Sequence, residues 1–247
     1  MPDRRAHRGA HPKDRADFGD RRLTVLQRAT DELSWLLSRG YPARRSLVLV
    51  GDRHALRARQ RKAVGRAAVA DELRSARAAL RVGPAEVADR RVWVDGYNVL
   101  LTVEAALAGG VLLRCRDGAL RDMAAMSQHY KRVEETHRAL ERIGELLVDA
   151  RVRHVCWLFD RPISNSGRLR RTMLDLAEDR GWPWTVDLVA NPDADLRRVI
   201  APDLVATADS GILDRIVDPG VRWLDLAREV VEARVEAPWI VDLALSR

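Results

Sequence analysis

A three-layer α/β sandwich with a mostly parallel sheet, preceded by a small, basic, mainly helical domain, is the fold this 247-residue sequence predicts. Three observations carry that reading. Before Val82 the apolar residues recur at helical spacing. After Arg91, apolar runs of about five residues alternate with helical stretches, the rhythm of parallel βαβ units. Between the two lies Val82-Gly83-Pro84, a segment that neither a helix nor a strand carries through. The predicted organisation is a disordered tail over 1–17, a helical domain over 18–82 and an α/β domain over 90–247.

Taken in order, residues 1–17 are rich in Arg, His, Asp and Pro and have no apolar period. Leu23, Leu26, Ala29, Leu33 and Leu36 mark a first helix, with Asp20 as its N-cap and Gly40-Tyr41-Pro42 as its stop. Leu47 to Val50 form a short apolar run. A second helix is predicted from near His54 to Leu80, with Gly65 as a kink. In the second half the strands are Val92–Asp95, Val155–Phe159, Trp184–Val189, Leu204–Thr207 and Val221–Leu224. Helices are expected after Asn98, from about Asp117 to Ala150, from Gly167 to Arg180, after Asp193, after Ser210, and from Leu226 to Arg234.

Composition narrows the class. Cys115 and Cys156 stand alone, with no CxxC or Cys/His spacing for zinc, as in a reducing cytoplasm. The longest apolar stretch, Val99 to Leu113, is broken by Glu104 and Gly109-Gly110 and is too short to span a bilayer. A cytoplasmic protein without a membrane segment is expected. The net charge of +7 is unevenly shared: residues 1–90 hold 21 Lys/Arg against 11 Asp/Glu, whereas residues 91–247 hold 22 against 25. A basic module joined to a mildly acidic one suits a polyanionic partner such as RNA for the first and cations for the second. Arg59, Lys62 and Arg66 share one face of the second helix, and no acid lies between Asp52 and Asp71. A solvated face is the bland alternative.

The chemistry is carried by aspartates at strand ends. Asp95 follows Val-Trp-Val, Asp160 follows Cys-Trp-Leu-Phe, Asp193 and Asp195 follow the third strand, and Asp209 follows Val-Ala-Thr-Ala. In an open parallel sheet the carboxyl ends of the strands form one rim, where ligands bind. Like charges gathered there raise one another's pKa unless a cation relieves them. Carboxylate oxygens suit Mg²⁺ or Mn²⁺. Each aspartate taken singly is equally a helix N-cap.

These residues resemble a family. Val94-Asp95-Gly96-Tyr97-Asn98-Val99 is similar to the opening motif of NYN-type domains in the PIN-like ribonuclease superfamily, whose fold is a Rossmann-like sandwich. Leu158-Phe159-Asp160 resembles the second-strand motif and Ala194-Asp195 the third. Val205-Ala206-Thr207-Ala208-Asp209-Ser210 resembles the Thr-Ser-Asp of the fourth, with Ala208 in place of the usual Ser. The resemblance implies a metal-dependent ribonuclease. Asp95, Asp160, Asp209 and one of Asp193 or Asp195 would hold the ion, and Asn98, Thr207 and Ser210 would position water or phosphate. Asp193 directly ends the strand, whereas Asp195 fits the motif. The whole chain also resembles proteins with the domain of unknown function 434 at their N-terminus, through Leu36-Leu37-Ser38-Arg39-Gly40-Tyr41 and Val50-Gly51-Asp52-Arg53. The pieces Arg114-Cys115-Arg116-Asp117-Gly118 and Leu120-Arg121-Asp122 have no nuclease counterpart.

A further segment, Ser164-Asn165-Ser166-Gly167-Arg168, precedes a helix directly after Asp160, and such a helix start suits a phosphate. Capping of that helix by Ser164 or Ser166 is the alternative. Trp182 and Trp184 read as packing residues, and His54, His129, His137 and His154 as structural or surface groups. Two rival functions share the rim residues. One is a non-catalytic RNA- or nucleotide-binding protein. The other is a Toprim-like metal-dependent enzyme, which Asp193-Ala194-Asp195 fits but which wants Glu at Asp95 and leaves Asp160 and Asp209 unexplained.

Overall fold

The computed structural model describes residues 9–123, 130 and 132–244. Its centre is a six-stranded, wholly parallel sheet. The strands are β1 (Arg81–Val82), β2 (Arg91–Asp95), β5 (His154–Asp160), β6 (Trp184–Val189), β7 (Leu204–Ala206) and β8 (Arg222–Leu224). They lie in the order β1-β8-β7-β2-β5-β6. From β2 the chain moves outward through β5 to β6, then returns to β7 and β8 on the other side. The order therefore reverses between β2 and β7, the switch point of a doubly wound sheet, where ligands bind beyond the strand carboxyl ends.

Alternation along the strands sorts side chains between the two faces. Val92, Val94, Val155, Trp157, Trp184 and Val186 pack into one large core beneath α6 (Gly96–Leu107), α7 (Glu135–Asp149), α8 (Ser166–Arg180) and α11 (Leu226–Arg234). Trp184 is buried there, and Trp182 packs partly buried beside it, as expected of both. Leu158, Val205 and Val221 face the other way, beneath two short helices, α9 (Pro192–Leu196) and α10 (Ser210–Leu213). All five strands and the helices after Asn98, Gly167, Asp193, Ser210 and Leu226 lie where the periodicity put them, within two residues.

The N-terminal part is helical: α1 (Asp14–Phe18), α2 (Asp20–Ser38), α3 (Ala43–Arg53), α4 (Ala58–Ala67) and α5 (Asp71–Leu80). Three expectations need correction here. Residues 1–8 lie outside the described residues, but 9–17 are not a disordered tail: α1 buries Asp14 and Asp17 and packs Phe18 into a core. The apolar run at Leu47 belongs to α3. The helix predicted from His54 to Leu80 is two helices, because Ala68-Val69-Ala70 runs extended, and the break lies beyond Gly65.

The region from Asp117 to Ala150 holds the largest departure. In place of one long helix there is a hairpin of β3 (Leu112–Arg114) and β4 (Leu120–Asp122), with α7 beginning only at Glu135. The signal was present: Asp117-Gly118 between apolar residues is a turn dipeptide, and Gly118 has φ +78°. With β9 (Ile240–Asp242) the hairpin forms a second, three-stranded sheet. Val111, Leu113, Cys115, Met123 and Val241 of this region share one core with Leu26, Leu33, Val50, Val64 and Ala67 of the N-terminal helices. The helical segment thus packs onto the small sheet. His54 is bonded to Glu32 and His137 to Glu141, while His129 lies outside the described residues.

Candidate functional site

Asp95 ends β2 and Thr207 follows β7, directly across the switch point. The Thr207 hydroxyl donates to Asp95 Oδ2 at 2.8 Å and accepts the Asp209 amide at 3.0 Å. Asn98, in the first turn of α6, accepts the Ala208 amide at 2.9 Å. The two halves of the switch point are therefore sewn together by the residues the motifs singled out. Gly96 is needed here, since a β-carbon on it would lie 2.4 Å from Cε1 of Phe159.

The electrostatics are those of an acid cluster. Burial, then the charges of Asp209 and Asp193, push the Asp95 carboxyl up to about 7, against the hydrogen bond from Thr207. Asp160, at the end of β5, is raised by burial and by Asp193. Burial, then the charge of Asp160, raises Tyr97 to about 12. The charge of Asp193 is felt at Asp95 and Asp160, whereas Asp195 lines a groove with Trp93, Leu158 and Val189; both aspartates are exposed. Residues two apart on a helix point away from each other, so one of them could face the rim and not both.

Asp209 also caps α10, its Oδ1 accepting the amides of Gly211 at 2.6 Å and Ile212 at 3.2 Å. Asp193 is paired with Arg197 at 3.3 Å. Among the described residues, no three His, Cys, Asp or Glu side chains gather closely enough to hold an ion by themselves. Expected convergence of Asp95, Asp160 and Asp209 into one cage is not seen among the described residues: Asp95 lies opposite Leu158, two residues before Asp160, and Asp209 is engaged in capping α10. The donors remain oxygen atoms of the kind hard cations take. Mg²⁺ binds through one or two carboxylates with several waters and substrate phosphates, so such a rim suits it without a cage.

The raised Asp95 pKa has a consequence for stability. A carboxyl that is more basic in the folded state gives up stability as pH rises from about 4 towards 7. Asp95→Asn removes this loss, so in EDTA the variant should melt above wild type at pH 8 and level with it near pH 4. The gap should be on the order of 1–2 kcal/mol, allowing for the solvent access of a rim carboxyl. Equal melting at both pH values would mean that Asp95 carries no repulsion.

At the start of α8 the N-cap is Asn165, with φ +68° and its side-chain amide donating to the Tyr130 carbonyl at 3.0 Å. Asn165, and not Ser164 or Ser166, occupies the N-cap position. Ser166 is buried and directed to the Arg161 carbonyl, which removes it from the candidate phosphate contacts, while Ser164 and Arg168 are exposed.

The comparisons with known proteins divide the chain at the same point as the sequence rhythm. A family model described as "Domain of unknown function (DUF5616)" matches residues 84–229, more than half of the chain. The chain belongs to this family. A second model, "Protein of unknown function (DUF434)", matches residues 25–79, the part where that resemblance was seen. The chain is 26% identical over 209 residues to "Uncharacterized protein MJ0935" of Methanocaldococcus jannaschii, covering 84% of this chain and 97% of that protein. No solved structure gives a significant match. The second half thus matches DUF5616, and its likeness to PIN and NYN domains rests on the rim motifs alone.

Within this DUF5616 chain the N-terminal segment reaches the rim, which the sequence did not announce. Arg77 of α5 donates to both oxygens of Asp214, at 2.8 and 2.7 Å, to Asp117, and to Ser210 Oγ at 3.4 Å. Arg121 of β4 donates twice to Asp117, at 3.0 and 2.7 Å, and to the Ala208 carbonyl at 2.7 Å. Burial works to raise the Asp117 carboxyl, but Arg121 and then Arg77 outweigh it and hold it at about 2. This buried network ties the 208–214 loop to the hairpin and to α5. A fifth strand-end acid, Asp225, follows β8. Burial pushes it up to about 6, and it accepts the amides of Leu120 and Arg228. Its position after an apolar run was the same signal as the other four.

The basic face on α4 is not a free one. Arg59 pairs with buried Asp14 at 2.6 Å, Lys62 donates to the Met123 carbonyl at 2.9 Å, and Arg66 donates to the Asp122 carbonyl. Burial, then the charge of Arg66, lowers the Lys62 ammonium's pKa. Arg57 and Arg61 pair with Asp17 and Asp52. The acid-free stretch of sequence is supplied with acceptors from elsewhere in the chain, so Arg59, Lys62 and Arg66 are all engaged within the protein. No helix among the described residues is long and apolar enough to cross a membrane.

Proposed function

We infer that the rim carries out metal-dependent hydrolysis of phosphodiesters, with RNA as substrate. The observation that supports this most is the coupling of Asp95 to Asp193 and Asp209 at the switch point of a doubly wound sheet. Asp95, Asp160, Asp193 and Asp209 would hold Mg²⁺ or Mn²⁺ together with water and substrate oxygens. When bound, such an ion lowers the pKa of a water and neutralises charge on the scissile phosphate. Thr207 fixes the Asp95 carboxylate, and Asn98 fixes the loop on which Asp209 is carried. Asp95, with a pKa of about 7 in the free protein, is poised to take up or release a proton near neutral pH. Exposed Arg168, in the first turn of α8, lies beyond Asp160 and suits a neighbouring phosphate. The PIN-like resemblance points the same way.

A second reading is favoured by one observation: the capping of α10 gives Asp209 a structural task of its own. On that reading the rim binds RNA or a nucleotide without cleaving it. One experiment separates the two. Purified protein is expected to cleave single-stranded RNA with Mn²⁺ and to stop in EDTA. Its melting temperature should rise with Mn²⁺, by the equivalent of about 2.7 kcal/mol at a hundredfold excess over Kd. Asp209→Asn keeps a good N-cap and should show much less of this gain. A protein that ignores Mn²⁺ and leaves RNA intact is not this enzyme.

A further inference from the structure

A second group of cations lies apart from the α4 face. At the amino ends of β2 and β5, opposite the rim, two short segments are locked together by backbone hydrogen bonds. The Asp89 amide donates to the Arg151 carbonyl at 2.9 Å, and the Arg153 amide to the Arg90 carbonyl at 3.0 Å. Arg91 and His154 are register partners in the sheet. Arg90, Arg91, Arg151 and Arg153 are thereby held at one edge of the molecule. The nearby acids are Asp89 and Asp203, and Asp203 is engaged by Arg91 at 3.6 Å and by the Trp93 indole at 2.9 Å. Among the described residues no carboxylate pairs with Arg90, Arg151 or Arg153, all three of which are exposed, and Arg90 donates to the Pro202 carbonyl at 3.3 Å. Their field is felt locally: burial first, then the charges of Arg91 and Arg153, lower the pKa of His154.

Arg151 has a second peculiarity. It follows the C-cap of α7 with φ +51°, in the left-handed conformation where helices ordinarily place Gly. A side chain there costs roughly 1 kcal/mol, which Gly would avoid. A residue that departs from the local optimum while presenting an unpaired charge marks a functional surface.

We propose that Arg90, Arg91, Arg151 and Arg153 form a binding site for the phosphate backbone of RNA at the amino edge of the sheet. It rests on the reading of RNA as ligand but not on cleavage. The patch lies about 20 Å from the rim, the length of β5 at 3.3 Å per residue. It grips phosphates without reading bases, and an RNA long enough to run along the molecule can engage both ends.

The test uses fluorescence anisotropy of a labelled 20-nucleotide single-stranded RNA, in EDTA, across a salt series. Replacing Arg90, Arg151 and Arg153 together (R90A, R151G, R153A) should weaken binding at least tenfold at 0.1 M salt. The log–log slope should flatten by about 2, since each single-strand phosphate contact contributes about 0.7. Arg151→Gly alone should melt at or above the wild-type temperature and still bind less tightly. Arg74→Ala, at an α5 arginine beside Asp71 and outside both sites, should bind like wild type. An unchanged slope in the triple variant would overturn the proposal. So would wild type that does not bind, or polyglutamate of matched length binding as tightly as RNA. Patch-dependent binding by a wild type that cleaves nothing would sink the hydrolase and keep the patch.

Discussion

Asp95→Asn should lower Mn²⁺-dependent RNA cleavage by at least 10²–10³-fold, the loss seen when one preorganised electrostatic group is removed from a reaction centre. The substitution is nearly isosteric. Its amide oxygen can still accept the Thr207 hydroxyl, which donates at 2.8 Å in the wild type. Only the charge at the centre of the cluster is removed. Far-UV circular dichroism should stay the same, and melting in EDTA at pH 8 should rise. A slower enzyme with a more stable fold is a pair of effects that a merely structural aspartate would not give. Cleavage at the wild-type rate by the variant would assign the activity to a contaminant and remove the nuclease reading.

The other large effect is expected at Arg77. It is 5% exposed and serves two carboxylates, Asp117 and Asp214, besides approaching Ser210. Arg77→Met fills the space but leaves buried Asp117 with Arg121 alone and strips Asp214 of its partner. Breaking a buried pair on one side costs about 3–5 kcal/mol, which in a chain of this size lowers the melting temperature by roughly 10 °C. Arg74 on the same helix is the control: it is exposed and sits 3.8 Å from exposed Asp71. Arg74→Ala should cost less than about 0.5 kcal/mol. If Arg77→Met and Arg74→Ala melt together, the network does not hold the 208–214 loop.

Several features of the molecule were legible without coordinates. The five main strands are short apolar runs bounded by helix stops, and period two or continuous burial leaves a local mark on sequence. Four of the rim acids stood out because Asp is costly in a strand and recurs at its end. Gly96 and Asn98 came with the motif. What tertiary structure alone decided is which charge meets which. The α4 cations looked free because their acceptors, Asp14, Asp17, Asp122 and Met123, are supplied from up to 61 residues away. Likewise, nothing local links Arg77 to Asp214, 137 residues on. Asp193 and Asp195 were inseparable as letters, and in the fold the charge of Asp193 is felt at Asp95 and Asp160 while Asp195 lines a groove with Trp93 and Val189. The amino-edge arginines are two scattered pairs in sequence, and only the pairing of β2 with β5 makes them one surface. Local propensity fixes a segment's shape within a few residues, whereas ion pairs and sites form between segments, and their partners are set by the packing of the whole chain.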